Sequence, residues 1–140
     1  MQTEIVKRSE FESFFEIETR WKDMDALGHI NNATFLTYLE SGRIELLKKW
    51  DFKKPPFIQA STKIDYLHQL AHPASLQIGQ KISRMGHKSF DILTGIFVAD
   101  EEKPVAQAVT TLVAFDYESQ KTIPVPEVIR RDLKDRKSVV

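Results

Sequence analysis

Apolar and polar side chains alternate from Phe11 to Trp21. Phe11, Ser13, Phe15, Ile17, Thr19 and Trp21 hold one set of positions, and Glu12, Glu16, Glu18 and Arg20 the other. A period of two marks a strand with one buried face; Phe14 interrupts it. Between Ala33 and Trp50 the period lengthens. Phe35, Leu36, Leu39, Ile44, Leu47 and Trp50 recur with Glu40, Arg43, Glu45, Lys48 and Lys49 between them, which predicts an amphipathic helix of about five turns. Asn31 or Asn32 suits its N-cap. Lys48 and Lys49 suit the negative end of its dipole, and Pro55-Pro56 closes the segment. Gly42 either weakens the helix or marks the approach of another backbone.

Four further alternating runs follow, over Ile58–Leu67, Ser75–Met85, Lys88–Ala99 and Val105–Phe115. The last is small or uncharged on both faces, as in a central strand covered on both sides. The links around His72-Pro73, Gly86-His87 and Asp100–Pro104 are short and read as hairpins or tight loops. After Pro124-Val125-Pro126, Glu127–Arg136 reads as a short charged helix, and Ser138–Val140 as a frayed end. One long helix and five mostly antiparallel strands make an α+β layout, because the helix can bury its stripe only against the sheet. The 140 residues, 41% hydrophobic, fit a single domain over 1–140.

Charge and composition narrow the partners. Lys+Arg and Asp+Glu both number 20, so no basic surplus supports a non-specific hold on nucleic acid. Cysteine is absent, which removes disulfides, thiolate metal sites and a cysteine nucleophile. The four histidines lack metal-ligand spacing, so no metal and no cofactor is expected. No apolar run reaches membrane-spanning length, and the start Met1-Gln2-Thr3-Glu4 does not read as a signal peptide. A cytoplasmic protein with no membrane partner is the expectation.

The densest chemistry lies in Asp23-Met24-Asp25-Ala26-Leu27-Gly28-His29-Ile30-Asn31-Asn32. Two acids lead into a turn and then a helix N-terminus, where free N–H groups carry partial positive charge. A carboxylate there can activate water or attack an electrophile; equally, it can cap a turn. Asp23 is the rival acid: along an extended segment it would point the same way as Asp25, but the favoured expectation is that it holds the loop or pairs with Arg20 or Lys22. His29 and Asn31 can orient water or hold Asp25, and Gly28 can supply a backbone angle. Glu40 and Arg43 can pair on the helix. Arg84, His87 and Lys88 form a basic cluster near a hairpin, and Arg130, Arg131, Lys134, Arg136 and Lys137 a second near the end. Serine-hydrolase, P-loop and dinucleotide motifs are missing.

The run Arg20–Asn32, with Phe35, Tyr38, Glu40 and Arg43, then Gly86-His87-Lys88-Ser89-Phe90 and Pro124-Val125-Pro126, resembles the hotdog-fold acyl-CoA thioesterases of the 4-hydroxybenzoyl-CoA thioesterase type. The resemblance implies a hotdog fold, a long helix wrapped by a curved five-stranded sheet. It implies an acyl-CoA thioesterase, active as a homodimer or homotetramer with the site between chains. Asp25 would be the catalytic carboxylate and the N–H near Asn32 the group polarising the thioester carbonyl. Gly28, His29, Asn31, Arg84, Lys88 and Ser89 would meet the substrate. A non-catalytic acyl-thioester binder and an acyl-carrier-protein thioesterase are the alternatives. The acyl pocket is expected beside the Asp25–Asn32 turn against a neighbouring chain's sheet, with Ala106, Ala108 and Ala114 leaving room beside the helix.

Overall fold

The computed structural model describes residues 4–138, with side chains through Leu133. Val139-Val140 of the expected frayed end and the side chains of Lys134, Arg136 and Lys137 lie outside the described part. Strand β1 spans Phe14–Glu18, helix α1 Asn32–Lys49, β2 Phe57–Tyr66, β3 Ser75–Met85, β4 Ser89–Val98, β5 Ala106–Asp116, β6 Lys121–Thr122 and helix α2 Glu127–Ser138. The main sheet runs β1-β3-β4-β5-β2, with β6 added on β5. Every pairing is antiparallel. This is the hotdog arrangement, one long helix against a curled sheet, enlarged by the two-residue β6.

Alternation places one face of each strand against α1. Ile30, Phe35, Tyr38, Leu39, Leu70, Ile78, Ile96 and Ala106 form a cluster around the first half of the helix. Leu46, Trp50, Phe57, Ile82, Phe90, Leu112 and Ile129 form a second around its C-terminal half. Each such large side chain contributes about 1.5–3 kcal/mol on burial. Trp50 stands edge-on to Phe57 and Phe90, and its indole N–H donates to the buried Asp132 carboxylate at 2.7 Å. That bond ties α2 to the end of α1.

Four expectations need correction. The first strand is shorter than Phe11–Trp21: Phe11 lies outside it, and Trp21 is 77% exposed. Phe11 and Phe14 pack with Phe97, on the side of the sheet away from the helix. Val6 joins them, and its N–H donates to Gln107 Oε1 at 2.8 Å. The residues before β1 thus form a strap over the outer face. Second, Leu36 and Ile44 face outward, and the buried stripe is Phe35, Tyr38, Leu39, Gly42 and Leu46. Third, Gly42 is approached by the Gln80 side chain, not by a backbone; Gln80 Nε2 donates to the Gly42 carbonyl at 2.8 Å. Fourth, Ala106, Ala108 and Ala114 do not border the cleft beside the Asp25–Asn32 turn: all three are buried, Ala106 and Ala108 in the first cluster and Ala114 in the second.

Candidate functional site

A loop joins β1 to α1 and fixes the two acids in opposite ways. A short 3-10 turn over Trp21–Asp23 carries Asp23 inward. Its carboxylate accepts from Tyr38 Oη at 2.7 Å, from the Arg20 backbone N–H at 2.9 Å and from the Arg20 guanidinium. Burial raises its pKa, but these bonds outweigh burial and hold it below 3.8. The same arrangement pushes the Tyr38 hydroxyl up, through burial first and then through Asp23. Asp23 therefore holds the loop and does not point the same way as Asp25.

Beyond it, Met24 bridges Ile30, and the Asp25 N–H donates to the His29 carbonyl at 2.7 Å. Gly28 closes this tight loop with φ of 84°, a left-handed angle that glycine adopts without penalty. Asp25 is exposed, and its Oδ1 accepts from Leu27 N–H at 2.9 Å and His29 N–H at 3.2 Å. Its Oδ2 has no partner among the described residues. The turn-capping reading is thus met by one oxygen, leaving the other open.

The start of α1 is pinned donor by donor. Ile30 N–H donates to Leu70 at 2.7 Å, Asn31 N–H to the Asp23 carbonyl at 2.9 Å, and Thr34 N–H to the Asn31 carbonyl at 2.9 Å. Ala33 N–H donates to Asn31 Oδ1 at 2.8 Å, making Asn31 the N-cap. Asn32 alone in this run has no acceptor for its N–H among the described residues. Helix N-termini leave such donors for side chains or ligands.

These groups border a cleft of about 550 Å³. Asp25, His29, Asn31, Asn32 and Phe35 form one side, and Tyr66–Leu70 form the other. Tyr66 spans the two. Its hydroxyl donates to the Asn32 carbonyl at 3.0 Å, and its ring meets Phe35 edge-on at 5.5 Å. Sequence reasoning missed Tyr66 and His68 as site residues. The only signal was an aromatic residue ending the Ile58–Leu67 alternation.

Arg84, Lys88 and Ser89 do not join this cleft within one chain. Cross-strand register sets Ser89 opposite Val113 and Phe57 opposite Ala114, whereas Tyr66 and Ile96 both lie opposite Ala106. The basic corner is therefore at the other end of the sheet, roughly 20 Å along the strands at about 3.3 Å per residue. Arg84 there grips Asp91 through two bonds, at 2.9 and 3.1 Å, and donates to Ser89 Oγ at 2.9 Å. Asp91 is burdened by burial, but Arg84 and Thr111 more than compensate, lowering its pKa. Lys88 reaches Thr122 at 3.3 Å. From the second basic cluster, Arg130 donates to the Gly86 and His87 carbonyls and so holds α2 down. Glu40 is exposed on α1. Burial lowers the pKa of Arg43, and Glu40 counters only part of that. Among the described residues no cluster of His, Asp and Glu could hold a metal ion. No helix among them is long and apolar enough to cross a membrane.

Similar proteins share this architecture. The chain is 30% identical over 122 residues to the uncharacterized protein YsmA of Bacillus subtilis (strain 168), covering 83% of this chain and 81% of that one. It is 26% identical over 125 residues to the long-chain acyl-CoA thioesterase FadM of Escherichia coli (strain K12), covering 85% and 95%. A thioesterase from Thermus thermophilus, solved in complex with coenzyme A and Zn, superposes with a TM-score of 0.77 at 25% identity over 89% of this chain and 98% of that one. Residues 19–133, from the buried Thr19 beside β1 into α2, match the family model of the Thioesterase-like superfamily, and the chain belongs to that superfamily.

Proposed function

We propose that this protein hydrolyses an acyl-CoA thioester to a carboxylic acid and free coenzyme A, with Asp25 as the reacting carboxylate and the Asn32 N–H as the donor to the thioester carbonyl. The observation that carries the reading is the pair of unengaged groups on one cleft. Asp25 Oδ2 and the Asn32 N–H stand open in a loop whose neighbouring donors are satisfied within the chain. Oδ1, held by two backbone N–H groups, fixes the carboxylate while Oδ2 works.

As a general base, Asp25 takes a proton from water as the water oxygen attacks the acyl carbon. The carbonyl oxygen gains charge, which the Asn32 N–H and the α1 dipole stabilise. The C–S bond then breaks, and thiolate departs without needing a strong acid. As a nucleophile, Asp25 instead bonds to the acyl carbon and expels thiolate, and water cleaves the resulting anhydride. Single turnover in heavy-oxygen water reveals the second route when water opens the anhydride at the Asp25 carboxyl carbon, because only then does label enter the Asp25 carboxylate.

The substrate's nucleotide needs a second chain in this reading. β2 is an edge strand, largely exposed along its ten residues, and such edges are pairing sites. Antiparallel two-fold pairing of β2 with its copy sets the Phe57 end of one chain beside the Tyr66 end of the other. The Arg84–Lys88–Ser89 corner of a second copy then flanks the cleft, where cations suit coenzyme A phosphates. FadM acts on long-chain acyl-CoA and the Thermus thioesterase holds coenzyme A, which supports this carrier.

The test is thiol release from a panel of acyl-CoAs by the purified protein, run beside Asp25→Asn. Asn keeps the size and the Oδ1 bonds but not the charge. Turnover should fall by at least ~10²-fold, the scale of a lost general base, while affinity for a non-hydrolysable acyl-CoA analogue holds. Analogue binding with no thiol release by the wild type would favour a binding protein. Release from acyl-carrier protein but not from acyl-CoA would change the carrier.

A further inference from the structure

The cleft contains one side chain that joins its two walls. Tyr66 ends β2 on one wall, and its hydroxyl donates to the Asn32 carbonyl on the other at 3.0 Å. We propose that Tyr66 is a positioning residue for the thioester carbonyl, holding Asn32 so that its N–H stays aimed into the cleft; this rests on the thioesterase reading above.

The peptide that follows Asn32 is held at both ends. Its N–H, on Ala33, donates to Asn31 Oδ1 at 2.8 Å, and its carbonyl accepts from Tyr66. On the other side, Asn31 N–H is held by the Asp23 carbonyl at 2.9 Å. The Asn32 N–H is thus an unpaired donor between fixed neighbours. First turns of helices fray because their donors lack intrahelical partners, and a donor that wanders stabilises a developing charge poorly. The ring of Tyr66 is itself fixed edge-on against Phe35, which is 3% exposed. That contact steadies the hydroxyl from a strand that is otherwise open to solvent. A position error of about 1 Å can cost as much as 10²-fold in rate, so one such tie is enough to matter.

The molecule provides its own control. Tyr117 Oη donates to the Phe57 carbonyl at 3.2 Å, at the opposite end of the same strand. It is a tyrosine-to-backbone tie of the same chemistry, remote from the cleft of its own chain and, in the proposed dimer, on the nucleotide side of the partner's cleft, where its loss acts on KM and not on the aim of an Asn32 N–H. If these ties serve only to fasten β2, removing either should act alike.

Tyr66→Phe keeps the ring and its contact with Phe35 while deleting the hydroxyl. Steady-state thiol release should show kcat lower by about 10-fold, KM changed by less than about twofold, and the order of preference among acyl groups unchanged. Tyr117→Phe should leave kcat within about twofold. Circular dichroism melts of both variants against wild type report whether folding differs. Equal kcat for wild type and Tyr66→Phe overturns the positioning role, as does an equal loss in both variants or a rise in KM at constant kcat. If wild-type protein binds acyl-CoA but releases no thiol, the thioesterase reading falls first and this role falls with it. That result is distinct from a live enzyme indifferent to Tyr66.

Discussion

Asp23 and Asp25 stand two residues apart, yet their surroundings give them different work. Asp23 is 2% exposed, and its oxygens are committed to Arg20 and Tyr38. Replacing it by Asn weakens a charged acceptor that buried and half-buried donors depend on, at a cost of about 2 kcal/mol. The pH dependence follows from the direction of its shift. The folded pKa is lower than the unfolded 3.8, so the stability Asp23 contributes is fully present above that value and is lost as pH falls through the folded one. The gap in urea midpoint between wild type and Asp23→Asn should therefore be flat at neutral pH and shrink only below pH 3.8. A gap that widened in acid would contradict the buried pairing. The spacing of the two acids was visible in the sequence. So was the hold of Asp23 on the loop through Arg20; the claim of Tyr38 on it was not, because Tyr38 comes a helical turn or more into the next element. Tyr66 was equally hidden, since it meets Asn32 across 34 residues of chain.

At the scale of elements, strands β2 to β5 and both helices were legible from periodicity, with ends displaced by a residue or two. Caps explain part of that accuracy, as Asn31 caps α1 with its own side chain. The first strand misled because Phe11 and Phe14 belong to a different apolar surface, the outer face under the strap. A period-two pattern cannot say which of two apolar faces a ring will join. Phe11 sits over Gly79 in β3, where an added Cβ would stand 2.5 Å from the ring. Gly79→Ala should thus lower stability by about 1–3 kcal/mol, as overpacking does, read as a drop in melting temperature. An unchanged melt would mean that the strap moves aside freely and that the outer face does not depend on it. The helix stripe was misread for a related reason. Leu36 and Ile44 carry the right spacing for burial, but the sheet curls around only part of α1, and both remain on the open side.

For the whole molecule, the exposed β2 edge and the distance of the basic corner from the cleft point to the same consequence. Sedimentation at micromolar concentration should show at least a dimer. Ile58→Lys, placing a charge on the edge strand where Ile58 is 38% exposed, should shift the population toward monomer and lower thiol release in parallel. A monomeric wild type with full turnover would remove the need for a second chain. The core is also divided along the helix. The aromatic cluster around Trp50, Phe57 and Phe90, sealed by α2, lies at one end, and the cleft borders the other. Native-state opening proceeds in units that need not be global. On the proposed reading the site therefore lies at the end of α1 away from the α2 seal, so that loosening the Trp50 cluster and disturbing the chemistry are separable changes along one helix.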